Sequence, residues 1–400
     1  MAGKYFPLLY FLLSFINLQS YSQIFEESLL TSYHLPSENI IAVSDDLNSS
    51  GSFYSIESGL QQLNNRTPID FCYNAEVEKT IRYFLEKRRS DIELYLQRSR
   101  YFFPVIENIL DKYDLPLELK YIAVIESGLN PFAKSSSGAA GIWQFLLNTC
   151  SLFDLQVDSY IDERRDLYKS TEAACRYLQY LYRTYNDWNL AMASYCNGPG
   201  DVRKAIERSG GKTDYWEIRP LLTEQARNYI PAFIAIGYVM NFYDRYGLHP
   251  NIKGYTWPDV DTLQIGYSVS FQQIASVLDI TVSEIEWLNP VYRRDFIPDL
   301  QQPCTLILPK DLILDYLRNE SRIISSTIPR NDYFSLLAVA GTTENRTMIT
   351  HTVKCGEYLH KIALNYNCTI ENIRAWNNLT SLDAYPGQIL QIWIPQNSEY

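Results

Sequence analysis

The chain has 400 residues, enough for two or three domains with proper cores, and its 46% hydrophobic and 20% charged residues are an ordinary globular composition. A net charge of −11 excludes nucleic acid or an anionic membrane surface as the main partner, because there is no positive excess to release counter-ions; a neutral polymer is compatible with it. The seven cysteines and four histidines are scattered without metal-ligand spacing, so no metal or other cofactor is expected, and the 32 tyrosines suit surfaces that are at once apolar and hydrogen-bonding.

In chain order, Lys4, the apolar run Phe6 to Ile16 and the small-residue site Ser20-Tyr21-Ser22 read as a cleavable export signal over residues 1–22. The run is too short for a comfortable membrane span, and no comparable run follows. Residues 23–75 are polar and broken by Ser49-Ser-Gly51 and Asn64-Asn65, a flexible lead-in. From Glu76 the spacing of Val77, Ile81, Phe84 and Leu85, then Ile92, Leu94 and Leu96, predicts an amphipathic pair of helices ahead of Tyr101-Phe-Phe-Pro104.

Pro116 suits a first helical turn, and Leu117, Ile122, Ala123 and Ile125 carry the apolar pattern to Glu126, with Pro131 preventing continuation. Glu126 is thereby expected at a helix C-terminus. The macrodipole and the apolar neighbours both disfavour its charge there and push the carboxyl toward its neutral, proton-donating form. On this stretch alone, a surface glutamate whose stem covers apolar neighbours is an equal alternative.

The small residues Ala133 to Gly141 allow close backbone approach to a ligand and lead into Ile142-Trp-Gln-Phe145. Asp162-Glu-Arg-Arg-Asp166 reads as a charged loop, either a solvated helix-start network or a substrate contact. A helix is predicted over 170–182, with Ser170 or Thr171 as its cap and Tyr177 on its apolar face. Another runs from Trp188 to Tyr195, stopped by Asn197-Gly-Pro-Gly200, which lacks the Lys-Ser/Thr of a phosphate loop. Arg227-Asn-Tyr-Ile-Pro231 opens a last helix that ends near Tyr246.

The tail repeats. Ile274-Ala275 recurs as Ile362-Ala363, Thr281 as Thr369, Ile285 as Ile373 and Asn289 as Asn377, each pair 88 residues apart. Each copy reads strand, helix, helix, strand, with strands at 261–265 and 305–308 in the first and 351–353 and 388–392 in the second. Residues 311–346 read as a Ser/Thr/Asn-rich linker that starts with a short helix. Cys355 and Cys368, close together in the second copy, are the cysteines most readily bridged.

Glu126-Ser-Gly-Leu-Asn-Pro131, Gly141-Ile-Trp-Gln-Phe145, Asp162-Glu-Arg-Arg-Asp166, Ala193-Ser-Tyr195 with Asn197-Gly-Pro-Gly200, and Arg227-Asn-Tyr-Ile-Pro231 together resemble, in order and spacing, the soluble-lytic-transglycosylase (goose-lysozyme-like) family. The tail resembles two LysM modules. The second carries His351-Thr-Val-Lys-Cys-Gly-Glu and Pro386-Gly-Gln-Ile-Leu390, while the first is degenerate, with Gly266-Tyr-Ser-Val at its opening.

The resemblance implies a mainly α protein: a lysozyme-like helical catalytic domain over 76–250, then two small βααβ LysM modules over 258–310 and 347–396. It further implies cleavage of the β-1,4 bond between N-acetylmuramic acid and N-acetylglucosamine to 1,6-anhydromuramoyl ends. Glu126 would be the one catalytic residue, and Ser135, Gln144, Tyr195, Asn197 and Tyr229 would bind substrate. Trp143 would be either a cleft wall or a core residue. The partners implied are peptidoglycan glycan strands, held by LysM loops between first strand and first helix and between second helix and second strand. Location would be periplasmic or peripheral at the outer membrane, and the chain a monomer. A hydrolytic muramidase and a non-catalytic peptidoglycan-binding scaffold are the rival readings. The chain departs from the family pattern at Cys196 and Asn197, which stand as though exchanged, at Gln225 in place of a glutamate, and at Leu147 and Cys150 in place of proline and glycine.

Overall fold

The computed structural model describes residues 55–326 apart from 159 and 301, residue 343, and 346–395 apart from 354–356, 358, 367, 380–383 and 385–386. The export signal, Cys355 and most of the expected linker lie outside the described residues.

Order begins earlier than the sequence suggests. Helix α1 (Ile56–Asn64) is capped by Ser55, and Leu60, Leu63, Ile69 and Phe71 are buried in the main core. Asn64 exchanges two hydrogen bonds with the Phe71 backbone, at 2.6 and 3.2 Å, and so fixes the polar-looking segment. The part of the supposed lead-in from residue 55 onward therefore belongs to the packed domain. Helices α2 (Ala75–Lys87) and α3 (Arg89–Lys112) follow, and α3 runs straight through Pro104. Tyr101, Phe102, Val105, Ile106, Ile109 and Leu110 on it are all buried, and that packing outweighs the missing backbone donor.

After a short 3₁₀ turn, α4 (Lys120–Ser127) is buried at every side chain from Tyr121 to Ser127, as befits a helix apolar on all faces at the centre of a domain. Its terminator is Gly128 rather than Pro131. Gly128 takes the left-handed conformation at φ 58° and donates to the Val124 carbonyl at 2.7 Å. A side chain there would meet Tyr95 at 2.4 Å.

Around α4 stand α5 (Leu147–Cys150), α6 (Leu167–Tyr185), α7 (Trp188–Asn197), α8 (Pro199–Arg208), α9 (Tyr215–Ile218) and α10 (Glu224–Phe242). α10 is nearly all apolar and packs on α2, α4 and α7. The cap of α6 is Asp166, whose carboxylate accepts from the Lys169 amide at 2.8 Å. Ser170 and Thr171 lie inside the helix, with their hydroxyls turned back onto the Asp166 and Leu167 carbonyls. Asn197-Gly-Pro-Gly200 does stop α7, but it also starts α8 at once, with Pro199 in the first turn.

The first tail copy pairs β1 (Val260–Ile265) with β4 (Cys304–Pro309) antiparallel, from Val260 opposite Pro309 to Ile265 opposite Cys304. Between them come β2 (Val269–Ser270), α11 (Phe271–Ala275), α12 (Val282–Leu288) and β3 (Phe296–Ile297), with β2 pairing β3. The expected short linker helix is α13 (Ile313–Ser325), and it belongs to this module, since Tyr316 and Ile323 complete the module's core.

In the second copy β5 (Arg346–Thr352) pairs β6 (Ile389–Pro395) antiparallel around α14 (Leu359–Asn365) and α15 (Ile370–Asn377). The recurring asparagine has one job in both. Asn289 exchanges hydrogen bonds with the Ile307 backbone at 2.8 Å, and Asn377 does the same with Gln391 at 2.7 and 2.8 Å, tying second helix to last strand. Cys368 is a free thiol.

Candidate active site

Glu126 occupies the last full turn of α4 and is only 7% exposed. One carboxylate oxygen accepts a hydrogen bond of 2.7 Å from the Tyr229 hydroxyl on α10. It faces a cleft of about 720 Å³ including its open mouth, and it is the one acidic residue among the described residues that line that cleft. Burial pushes the Glu126 carboxyl up to about 7, and the Tyr229 bond, which favours the ionised form, pulls the other way. The hydroxyls of Tyr229 and Tyr195 and the Cys196 thiol are all buried beside it. Their ionisation is pushed well above its ordinary range by burial and by the neighbouring carboxylate, so each stays a neutral donor.

The opposite wall is the loop 133–146. It is folded on itself by backbone bridges between Lys134 and Ala140 and between Ala140 and Phe145. Ser127 pins it to α4, its hydroxyl reaching the Ala123 carbonyl at 2.9 Å and the Ile142 carbonyl at 3.0 Å. Gly141, at φ 81°, lies so close to the next segment that a β-carbon would stand 1.8 Å from the Arg164 carbonyl oxygen.

Three of the five expected binding residues line the cleft. Ser135 accepts from the Ala139 amide at 3.0 Å and pairs with Ser137 at 2.8 Å. Gln144, at φ 50°, donates to the Gly141 carbonyl at 2.8 Å. Tyr195 donates to the Trp143 carbonyl at 2.9 Å. Tyr229 is fully buried and holds Glu126.

Asn197 is not brought to the cleft wall. Its amide donates to Asp201 at 3.2 Å and to the Thr223 hydroxyl, joining the end of α7 to the cap of α10, while Cys196 lines the cleft instead. One residue along a helix turns the side chain by about 100°, which accounts for the exchange. Trp143 is a core residue, wholly buried and donating to Thr171 at 2.9 Å.

Phe145, Tyr177 and Gln225 also line the cleft. Phe145 closes one of the sequence motifs and Gln225 is one of the departures from the family pattern, but the sequence assigns neither to the cleft, and Tyr177 is hidden in the sequence because it shares the apolar stripe of α6.

The Asp162 to Asp166 loop is neither solvated nor at the cleft. Asp162, Glu163 and Arg164 are buried. Arg164 forks onto Asp162 at 2.7 and 2.8 Å and donates to the Gly138 and Phe145 carbonyls at 2.7 and 3.2 Å, bracing the cleft loop from behind. Burial alone would raise Asp162, yet the Arg164 bonds hold its carboxyl below the usual range.

Removing the Tyr229 hydroxyl as Tyr229→Phe leaves the burial of Glu126 unopposed, so its ionisation moves above about 7. The expected result is a pH profile of activity whose alkaline limb shifts upward, because the carboxyl keeps its proton to higher pH once the bond that favours its ionised form is gone. An unshifted limb in a pH titration of activity would contradict this.

Comparison with known proteins agrees with this architecture. Residues 104–218 match the Transglycosylase SLT domain, residues 259–323 the "Lytic transglycosylase MltD, LysM-like domain", and residues 351–393 the LysM domain. Membrane-bound lytic murein transglycosylase D of Escherichia coli (strain K12) is 27% identical over 331 residues, 77% of this chain and 69% of that protein.

Among solved structures, the 70 kDa soluble lytic transglycosylase SLT70 from Escherichia coli is 21% identical, with a TM-score of 0.32, over 46% of this chain and 34% of that one. The complex of the 70 kDa soluble lytic transglycosylase with bulgecin A is 20% identical with a TM-score of 0.34 over the same shares. The chain thus spans about a third of those proteins, a likeness too slight to argue from.

The ordered motifs around Glu126, the helical domain that buries it and the three matched domains in sequence place this chain, as an enzyme, in the lytic transglycosylase family that joins an SLT domain to LysM-like modules.

Proposed function

We propose that this enzyme cleaves the β-1,4 bond between N-acetylmuramic acid and N-acetylglucosamine in peptidoglycan and closes the muramoyl end as a 1,6-anhydro ring. The observation that carries the reading is the single carboxyl of the cleft, buried, pushed up to about 7 and without a second acid among the described lining residues. Hydrolytic glycosidases generally need two carboxylates, one to protonate the leaving oxygen and one to attack or to activate water. An intramolecular transfer supplies its own nucleophile, the 6-hydroxyl of the muramoyl sugar, at high effective concentration.

Glu126 in its protonated form donates to the glycosidic oxygen as the C1–O bond breaks. The resulting carboxylate, held by Tyr229, takes the proton of the 6-hydroxyl as that oxygen bonds to C1, and the enzyme returns to its starting state. The N-acetyl group of the sugar stabilises the cationic centre between the two steps. In the same reading the chain is exported through residues 1–22, works as a monomer in the periplasm or at the outer membrane, and is tied to glycan strands by its second LysM module.

Mass spectrometry of sacculi digested by the purified chain tests the chemistry. Product ends lighter by one water than the reducing sugar are expected. Ordinary reducing ends would replace this reading with a hydrolytic muramidase.

A further inference from the structure

In a LysM module the glycan is expected at two loops, one after the first strand and one before the last. In the first module both loops are tied to other parts of the chain. Tyr267, in the loop after β1, donates its hydroxyl to Glu320 at 2.8 Å and pairs with the Tyr316 hydroxyl at 3.0 Å, so α13 covers that side.

The loop before β4 carries Val291, Tyr292 and Arg293 and is docked on the catalytic domain. Tyr292 bridges Ile161 in antiparallel register. The Asp162 amide donates to the Val291 carbonyl and the Arg293 amide to the Tyr160 carbonyl, both at 2.8 Å. The Arg293 guanidinium donates to the Asp158 carbonyl at 2.6 Å. Ile161 is counted in the module's own hydrophobic cluster, so a side chain of the catalytic domain completes the module's core.

From this docked segment the connection to the cleft is short. Asp162 holds Arg164, Arg164 holds the Gly138 and Phe145 carbonyls, and the loop between those residues carries Ala139, Gln144 and Phe145 into the cleft. Gly141 rests against the Arg164 backbone.

We infer that the first LysM-like module is a positioning element for the cleft loop and not a glycan anchor: it holds residues 158–162, through them Arg164, and through Arg164 the wall of the active site. Only the kinetic arm of its test rests on the proposed glycan cleavage.

The test uses the full chain as wild type, Arg293→Ala, Arg293→Lys, and Arg318→Ala on the exposed face of α13 as control. For each, hydrogen exchange of residues 134–146, kcat and KM on solubilised glycan strands, and co-sedimentation with sacculi are measured. Arg293→Ala should speed exchange in 134–146 but not in α10, and lower kcat about tenfold with KM and co-sedimentation unchanged. Arg293→Lys, which keeps a donor for the Asp158 carbonyl, should recover part of both, and Arg318→Ala should change neither.

Unaltered loop exchange and kcat in Arg293→Ala would overturn the inference. So would weaker co-sedimentation with unchanged kcat, which would make the module a glycan binder. If Arg293→Ala loosens α10 as well, the same two outcomes are read from Arg293→Lys. A wild type without glycan cleavage would sink the proposed function, while the exchange arm would still decide the coupling.

Discussion

Replacing Glu126 by glutamine should cost turnover a factor of about 10² to 10⁴, the range that a positioned acid–base group supplies, and leave sacculus binding as it was. Glutamine is close to the same size and offers an oxygen to the Tyr229 hydroxyl, so the helix end and its hydrogen bond persist. What disappears is the proton. No other acid among the described lining residues can deliver one, and the neighbouring Tyr195, Tyr229 and Cys196 hold theirs too tightly to act as the donor. Release of soluble fragments from sacculi measures the loss, and equal rates for wild type and variant would remove Glu126 from the proposed mechanism.

Gly141→Ala should be the most damaging small substitution in the catalytic domain. The new β-carbon would stand 1.8 Å from the Arg164 carbonyl oxygen, and the backbone at φ 81° is one that side-chain-bearing residues rarely adopt. Neither partner is a flexible side-chain tip, so two backbone segments have to separate. With them goes the fit between the cleft loop and the arginine that braces it. A destabilisation of about 3 kcal/mol is expected, read as a melting point lower by roughly 10 °C, with most activity lost. A melting point within a degree of wild type would show that the contact relaxes freely.

Much of this molecule is legible in its residues because the signals are local. The apolar run that ends at Glu126 is buried on all sides, and the 88-residue repeat of the tail follows from an asparagine that ties helix to strand in both copies. The misreadings share a cause, which is that burial is decided by partners far along the chain. Asp162 to Arg164 read as surface because they are charged, yet Arg164 pairs with Asp162 and reaches backbone carbonyls 19 and 26 residues away, while Lys169 pairs with Glu163.

Residues 55–75 read as flexible because they are polar, yet a few apolar side chains suffice to seat them in the core. α13 reads as the start of a linker because the stretch 311–346 is rich in Ser, Thr and Asn, while Tyr316 and Ile323 reach inward and complete the module's core. The cap of α6 falls on Asp166 and not on Ser170 or Thr171, because the helix begins a turn earlier than the apolar pattern suggests and leaves both hydroxyls inside it. Asn197 is the narrowest case, a displacement of one residue at a helix end that changes which side chain meets the cleft.

The buried carboxyl of Glu126 has a consequence for the protein as a whole. Unfolded, the group gives up its proton near 4.5; folded, it keeps it to about 7. Between those values the native state binds one proton more than the unfolded chain, so stability falls as pH rises through the window. The loss is on the order of 3 kcal/mol once the folded group is ionised. The cost of ionising Glu126 is therefore met between mildly acidic and neutral pH, and on the proposed mechanism the same titration that weakens the fold also removes the proton the reaction needs.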